Sequence, residues 1–434
     1  MSKYTPHTEQ DVKTMLNTVG VSSLDGLYKD VPREIFQKEL KLPKGKSQYA
    51  VEKQMRVLAG KNKTYGSVLR GGGIYDHIIP AAVNALTGRA EFVTAYTPYQ
   101  AEISQGVLQG IFEYQSLMCA LTQMDISNAS MYDGAQAAAE AIVMCCERKN
   151  KALVLGQVNP QYMAVMRTYC NSHNISIDSI SAKDGLVDIN TLADSIDADT
   201  ACVVAQCPNY FGLIEDMKAI ADIAHVKNVK FIYIFNPVAA ALLPTPGECG
   251  VDVAVGEGQP LGLPMAYGGA TVGILTCNKA LLRRMPGRVV GQTTDHNGRR
   301  VFVLTMQARE QHIRREKALS SICSNQALNA LTTTVYLSLV GKVGFVEVAR
   351  QCVDKAHYLA NELVKAGAKL KYKTEFFHEF VVEGDGEKWN KILAEQDILG
   401  GMPAPDGTLW CVTEKADKET LDKVVIAYKE ARSI

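Results

Sequence analysis

The chain has 434 residues, more than one domain commonly holds, so its length asks for one large core and a smaller one. Its 46 Lys and Arg residues balance 46 Asp and Glu, which excludes a general electrostatic pull toward nucleic acid or an anionic membrane surface. Eleven scattered cysteines without a C-x-x-C pair fit packed thiols in a reducing compartment, not a metal or redox centre.

The first residues, "MSKYTPHTEQDVKTML", have neither the apolar core of a signal peptide nor an Arg-rich transit pattern. No run of about 18 uninterrupted apolar residues follows, so the expectation is a cytoplasmic chain with no membrane span. Thr8 and Asp11 stand at capping-box spacing ahead of Val12, Met15, Leu16 and Val19, which share one helical face. They predict a short helix heading an N-terminal helical arm, residues 1–65. In "RGGGIYDHIIPAAV" three glycines match neither a Walker loop nor a dinucleotide fingerprint and read as a close-packed turn. His77, beside Tyr75 and Asp76, is either a hydrogen-bonded structural imidazole or an acid–base group.

In "YTPYQAEISQGVLQGIFEYQSLMCALTQ", Thr97 as cap, Pro98 at the first helical position and Gln100 at capping-box distance predict a helix start. Ile103, Val107, Ile111, Tyr114, Met118 and Leu121 form its apolar stripe. Tyr96 and Tyr99 then flank a helix end, either as a packing staple or as two phenols lining a pocket. In "NASMYDGAQAAAEAIVMCC", Asp133–Gly134 precede an alanine-rich helix whose first N–H groups suit phosphate. An aspartate cap occupies those donors and repels an anion, so an ordinary capped helix is the reading.

From residue 151 the alternation is regular: "KALVL" strand, "PQYMAVMRTYCNSH" helix, "ISIDSI" and "ACVVAQ" strands, "EDMKAIADIAHVKN" helix, "KFIYIF" and "VDVAVG" strands. Strands apolar along their whole length predict a parallel sheet covered on both faces, with its site at the carboxyl ends. That places Cys207-Pro208-Asn209, Asn236-Pro237 and the loop after Val255 along one edge. In "QAREQHIRREKALSSICSNQ", Arg309, His312, Arg314, Arg315 and Lys317 interleave with Glu310 and Glu316 at helical distances. An ion-pair face and an anion site both remain open there. After this large domain, residues 66–325, two long amphipathic helices ("NQALNALTTTVYLSLVG", "GFVEVARQCVDKAHYLANELVKAG") open a smaller C-terminal domain, residues 326–434. It continues with "KLKYK", "EFVVEG", a helix around "EKWNKILAEQ", the strand "TLWCVT" and a closing helix.

The strings "TAYTPYQAEISQG", "NASMYDGA", "MPGRVVGQTTDHNGRR" and "REQHIRREKALSSICSNQAL" together resemble the glycine decarboxylase family, the P-protein of the glycine cleavage system. More narrowly they resemble the first subunit of its two-subunit form, over nearly the whole chain. The resemblance implies an α/β fold of the aspartate aminotransferase kind (PLP-dependent fold type I), with a mainly parallel sheet. In that fold an acidic residue pairs with the pyridine nitrogen of pyridoxal phosphate, and a lysine on a later loop holds the cofactor as a Schiff base. The matching positions here read Asn236 and Gln259–Pro260, and neither glutamine nor proline forms an imine. Lys279 lies beyond another strand, "TVGIL".

The resemblance therefore implies a chain that is inactive alone and binds no cofactor covalently. It would work beside a second subunit that supplies the lysine and holds pyridoxal phosphate. Tyr96, Tyr99, Asn128, Ser130, Tyr132 and Arg309 are the implied contribution of this chain to the pocket wall. The implied reaction decarboxylates glycine and passes its aminomethyl group to the lipoyl arm of an H-protein. Two other readings stay open: a self-sufficient pyridoxal phosphate enzyme acting on another amino acid, and a purely structural partner of the cofactor-bearing subunit.

Overall fold

A computed structural model describes residues 4–36, 41–405 and 407–433. The chain divides into two compact units, Met1–Lys63 and Thr64–Ile434. In the first, the predicted helix spans Glu9–Val19 and starts at a complete capping box. Asp11 N donates to Thr8 Oγ1 at 3.2 Å, and Thr8 N donates to Asp11 Oδ2 at 2.7 Å. Gly20 stops it in the left-handed region, φ 80°. A second helix, Gln48–Ala59, is capped by Ser47, and neither helix buries a residue.

The second unit is built on seven strands. In spatial order they are Ile126–Ser127, Gly273–Cys277, Val253–Glu257, Lys230–Phe235, Thr200–Cys207, Lys151–Leu155 and Ser176–Ile180. Gly273–Cys277 runs antiparallel to both neighbours, and the other pairings are parallel. Successive strand residues alternate between two cores, which is why no polar face was visible in the sequence. Leu153, Leu155, Val203, Ala205, Phe231 and Tyr233 pack with Tyr114, Met118, Ile220 and Ala224. Ala152, Val154, Cys202, Val204, Ile232 and Ile234 pack with Ala137, Ala141, Ile142 and Met166 on the other face. The helix Gly134–Cys145 is buried along nearly its whole length, so small alanines let it lie close against the sheet.

A third core joins Leu359, Leu363, Phe380, Val382, Trp389, Trp410 and Leu421 with Leu69, Phe211 and Leu213. Its strands Glu379–Glu383, Gly407–Cys411 and Met402–Ala404 are antiparallel. "KLKYK" contributes only an isolated bridge, Leu370 to Val382. The two long helices follow one another as Ala327–Lys365, interrupted at Gly341 (φ 59°, ψ −179°). This stretch is long and apolar enough by length and composition to cross a membrane, although no uninterrupted apolar run of about 18 residues marks it. It places Tyr336, Phe345, Ala349 and Cys352 in the sheet core and Leu359 and Leu363 in the third core.

Two local expectations are corrected. The helix expected to start at Thr97 starts at Gln105, after a short turn at Ala101–Ile103. Tyr99 N donates to Thr97 O at 2.9 Å, which folds the segment back into a turn. Gln105 then fixes the start by bonding Ala101 O, Phe302 O and Phe302 N at 2.8–2.9 Å. The basic stretch is likewise not one helix: Glu310 is extended and Arg315 has φ 54°, so only the turn Gln311–Arg314 is helical between two 3-10 turns. Among the described residues its one contact between opposite charge types is His312 Nδ1 to Glu310 Oε2 at 3.6 Å, an ion pair when the imidazole is protonated.

Candidate functional site

The carboxyl ends of the parallel strands do converge. Pro208, Asn236, Pro237 and Glu257 line one pocket with Tyr75 and Glu379. The glycine turn closes it from above: Asn159 Nδ2 donates to Gly72 O at 2.8 Å, and Gly72 N donates to Glu379 Oε1 at 2.7 Å. A Cβ on Gly71 would stand 2.1 Å from Glu379 Oε1, so this approach requires glycine.

Pyridoxal phosphate, which the fold implies, does not fit the groups gathered here. Gln259, the residue that the resemblance matches to the cofactor-binding lysine, is 1% exposed. Its Nε2 donates to Tyr75 O and Leu263 O at 2.9 and 2.8 Å, and its Oε1 accepts from Tyr75 N at 2.9 Å. Asn236 Oδ1 accepts from Val238 N and Ala239 N at 2.9 and 3.3 Å, capping its own turn. Its Nδ2 lies 3.5 Å from Nε2 of His378, whose pKa burial pulls down to about 3. A neutral imidazole and an amide stand at this strand end, and neither is the carboxylate that a protonated ring nitrogen needs.

Two of the first N–H groups of the helix Gly134–Cys145 are already held by carboxylates. Gly134 N donates to Glu257 Oε2 at 3.0 Å, and Gln136 N to Asp133 Oδ1 at 2.8 Å. The aspartate cap is as expected from the sequence; the second carboxylate, from the strand end, is not. Gln259 N and Thr271 Oγ1 also donate to Glu257, at 2.9 and 3.1 Å. Burial nevertheless pushes the Glu257 carboxyl up to about 7.

Glu379 is fully enclosed, and burial pushes its carboxyl up to about 7 as well, against bonds from Gly72 N and Tyr75 Oη. A folded-state value above the ordinary 4.5 means that the protonated acid stabilises the fold. The contribution is complete below about pH 4.5 and is lost as pH rises through about 7. Glu379→Gln is expected to flatten the stability–pH curve over that window by about 3 kcal/mol. Urea unfolding at a series of pH values measures it, and a mutant curve parallel to wild type would acquit Glu379.

His77 is 6% exposed and bonds Glu414 Oε2 through Nδ1 at 2.7 Å. Cys352 Sγ donates to the same oxygen at 3.5 Å. The three ligand atoms lie within 4.8 Å of one another, a span a metal ion could bridge, although no metal site was expected. Burial opposes the charge of Glu414, but His77 and the Ile78 amide outweigh it and hold its pKa below the ordinary value.

Five of the six wall candidates gather around two segments, Pro286–Arg288 and Cys323–Gln326. Asn128 Nδ2 donates to Pro286 O at 2.9 Å and Arg309 Nη2 to Gly287 O at 2.7 Å. Ser130 Oγ accepts from Gln326 N at 3.0 Å and Tyr132 Oη from Cys323 N at 3.2 Å. Tyr99 Oη accepts from Arg288 Nη2 at 3.1 Å, and its ring lies 5.3 Å from the guanidinium carbon. Tyr96 stands apart, 86% exposed, lining an apolar pocket with Phe92, Val107, Ser324 and Leu328. Neither tyrosine flanks a helix start, since the helix begins six residues beyond Tyr99.

Each phenol that accepts a hydrogen bond keeps its own O–H to donate, so Tyr99 and Tyr132 present donors to a negatively charged group. Sequence reasoning missed Arg288, Ser324, Glu257 and Glu379. The visible signal for Arg288 was one cation inside the apolar run "MPGRVVG".

Comparison with known proteins extends the geometry. The chain matches the glycine cleavage system P-protein family over residues 2–428. It is 47% identical over 436 residues to a probable glycine dehydrogenase (decarboxylating) subunit 1 of Desulforamulus reducens, covering 97% of this chain and 98% of that protein. A protein of the same description from Geobacillus thermodenitrificans is 46% identical over 440 residues, covering 98% of each. A crystal structure of glycine decarboxylase (P-protein) of the glycine cleavage system, in inhibitor-bound form, superposes with a TM-score of 0.92 at 39% identity, covering 99% of this chain and 100% of that one. An aspartate aminotransferase of subgroup IV from Thermus thermophilus, at 14% identity and a TM-score of 0.60 over 85% of this chain and 99% of that one, shares the fold alone. The expected aspartate aminotransferase-like fold is thus the observed one, and the chain belongs to the glycine cleavage system P-protein family.

Proposed function

We propose that this chain is the subunit of glycine dehydrogenase (decarboxylating) that carries no cofactor. A second subunit supplies the lysine and pyridoxal phosphate, and the acceptor of the aminomethyl group is the lipoyl arm of an H-protein, in the cytoplasm. The observation that carries this reading is Gln259: a side chain without an amine, bonded through both ends of its amide to backbone. Glu257 on the helix start supports it, because a carboxylate holds donors that a phosphate would need.

Within that reading, Tyr99, Asn128, Ser130, Tyr132 and Arg309 form the wall that this chain lends to the shared site, with Tyr96 at its margin. The phenol O–H groups orient a substrate carboxylate by hydrogen bonding and hold water away from it. The division into arm (1–65), large domain (66–325) and small domain (326–434) accompanies this proposal. A self-sufficient enzyme is disfavoured by Gln259 and Glu257, and a purely structural partner by the polar cluster around Arg288.

The deciding experiment purifies the chain with and without the second subunit and records cofactor absorbance and glycine-dependent carbon dioxide exchange. The lone chain is expected to be colourless and inactive, and the mixture to be coloured and active. Colour and exchange in the lone chain would refute the proposal.

A further inference from the structure

Among the described residues no carboxylate pairs with Arg288. Its side chain belongs to a residue only 2% exposed. Nη1 donates to Ser324 Oγ at 2.8 Å and Nη2 to Tyr99 Oη at 3.1 Å, while buried Nε has no hydrogen-bond partner. Both acceptors are neutral hydroxyls, and Arg288 makes no ion pair among the described residues. Hydroxyl dipoles and the face of Tyr99 recover only part of the hydration that a buried guanidinium gives up.

The same turn holds a second instance of the pattern. Arg309 donates through Nη2 to Gly287 O at 2.7 Å, and its buried Nε is also without a partner. Asn128 Oδ1, whose amide end bonds Pro286 O, is a third unsatisfied atom beside this turn. Buried polar groups left open in one place mark a site that something else completes. The two groups that hold Arg288 reach the surface: Tyr99 is 55% exposed, and Ser324 lines an open pocket with Tyr96, Val107 and Leu328.

We propose that Arg288 is an anion-binding residue that receives a small oxyanion, a carboxylate or a phosphate monoester, brought to this surface in the assembled enzyme. Nε–H and an adjacent Nη–H form a planar fork that matches two oxygens of such a group. The O–H of Tyr99, which already accepts from Arg288, supplies a third donor. The inference rests on the subunit reading above. In it, two groups of this chemistry are at hand: the carboxylate of glycine and the phosphate of the cofactor on the second subunit.

The test uses the two-subunit complex carrying Arg288→Met or Arg288→Lys. Gel filtration establishes assembly, absorbance titration gives the Kd for added pyridoxal phosphate, and carbon dioxide exchange gives KM and kcat for glycine. Arg288→Met is expected to raise one of the two constants by about 30-fold or more, and Arg288→Lys to recover part of the loss. A change confined to the glycine KM identifies the substrate carboxylate as the anion; a change confined to the cofactor Kd identifies the phosphate. An assembled Arg288→Met complex with both constants within about twofold of wild type overturns the proposal. If that variant does not assemble, Arg288→Lys decides on the same constants: a shift of about threefold in either supports the anion site, and no shift in either overturns it. A wild-type complex without exchange would instead overturn the subunit reading.

Discussion

Tyr99→Phe lowers glycine-dependent carbon dioxide exchange of the assembled enzyme by about tenfold to a hundredfold, with the subunits still associated. The ring stays, so the contact with the Arg288 guanidinium at 5.3 Å is kept. What disappears is the acceptor for Arg288 Nη2 and the phenol's own O–H donor. A charged donor that is already short of partners then loses one of its two. Loss of an acceptor from the buried guanidinium is also expected to cost the chain about 1–3 kcal/mol of stability, which leaves the fold intact. Isotope exchange between labelled bicarbonate and glycine measures the rate, and gel filtration checks association. A wild-type rate in an intact complex would take this phenol out of the mechanism.

Gln259→Lys does not convert the isolated chain into a coloured, cofactor-bearing protein. The amine would enter a position 1% exposed whose partners are two carbonyls and one amide N–H, and that N–H has nothing to bond in an ammonium. Burying the charge there is expected to cost about 3 kcal/mol of stability, even with the Glu257 carboxyl close by. The helix start would still be held by Asp133 and Glu257, and Asn236 would still offer an amide to the ring nitrogen. Borohydride reduction after incubation with pyridoxal phosphate, followed by absorbance of the unfolded chain, is the measurement. A reduced adduct on residue 259 would mean that the missing amine was the sole defect of the site.

Much of the architecture was legible because it rests on periodic burial. "KALVL" and "KFIYIF" are strands with the bounds read from the sequence, Lys151–Leu155 and Lys230–Phe235. Their uninterrupted apolar character has one cause, alternate residues feeding two separate cores. Local capping chemistry was legible where the side chain and its donor are three residues apart, as at Thr8 and at Asp133. It misled at Thr97, where Gln105 is recruited by Phe302, almost two hundred residues later in the chain. A cap motif states what a segment can do alone and is silent about the hairpin of Val289–Thr294 and Arg300–Thr305 that carries Phe302.

The site divides along the same line. The missing amine at Gln259 and the amide at Asn236 are facts of composition, readable once the resemblance supplied the positions. The gathering of Tyr99, Asn128, Ser130, Tyr132 and Arg309 around Pro286–Arg288 depends on segments up to about two hundred positions apart, so only folding brings it about.

By itself the sequence determined the α/β class, the strand ends that form one edge, and the absence of an imine-forming side chain at the decisive loop. Each of these follows from local periodicity or from the identity of single residues. The tertiary structure alone decided that Glu257 bonds the helix start and that Arg288 is buried beside two hydroxyls with no ion pair among the described residues. Desolvation and hydrogen-bond partnership belong to groups distant in the chain and near in space, and no local pattern of residues encodes them.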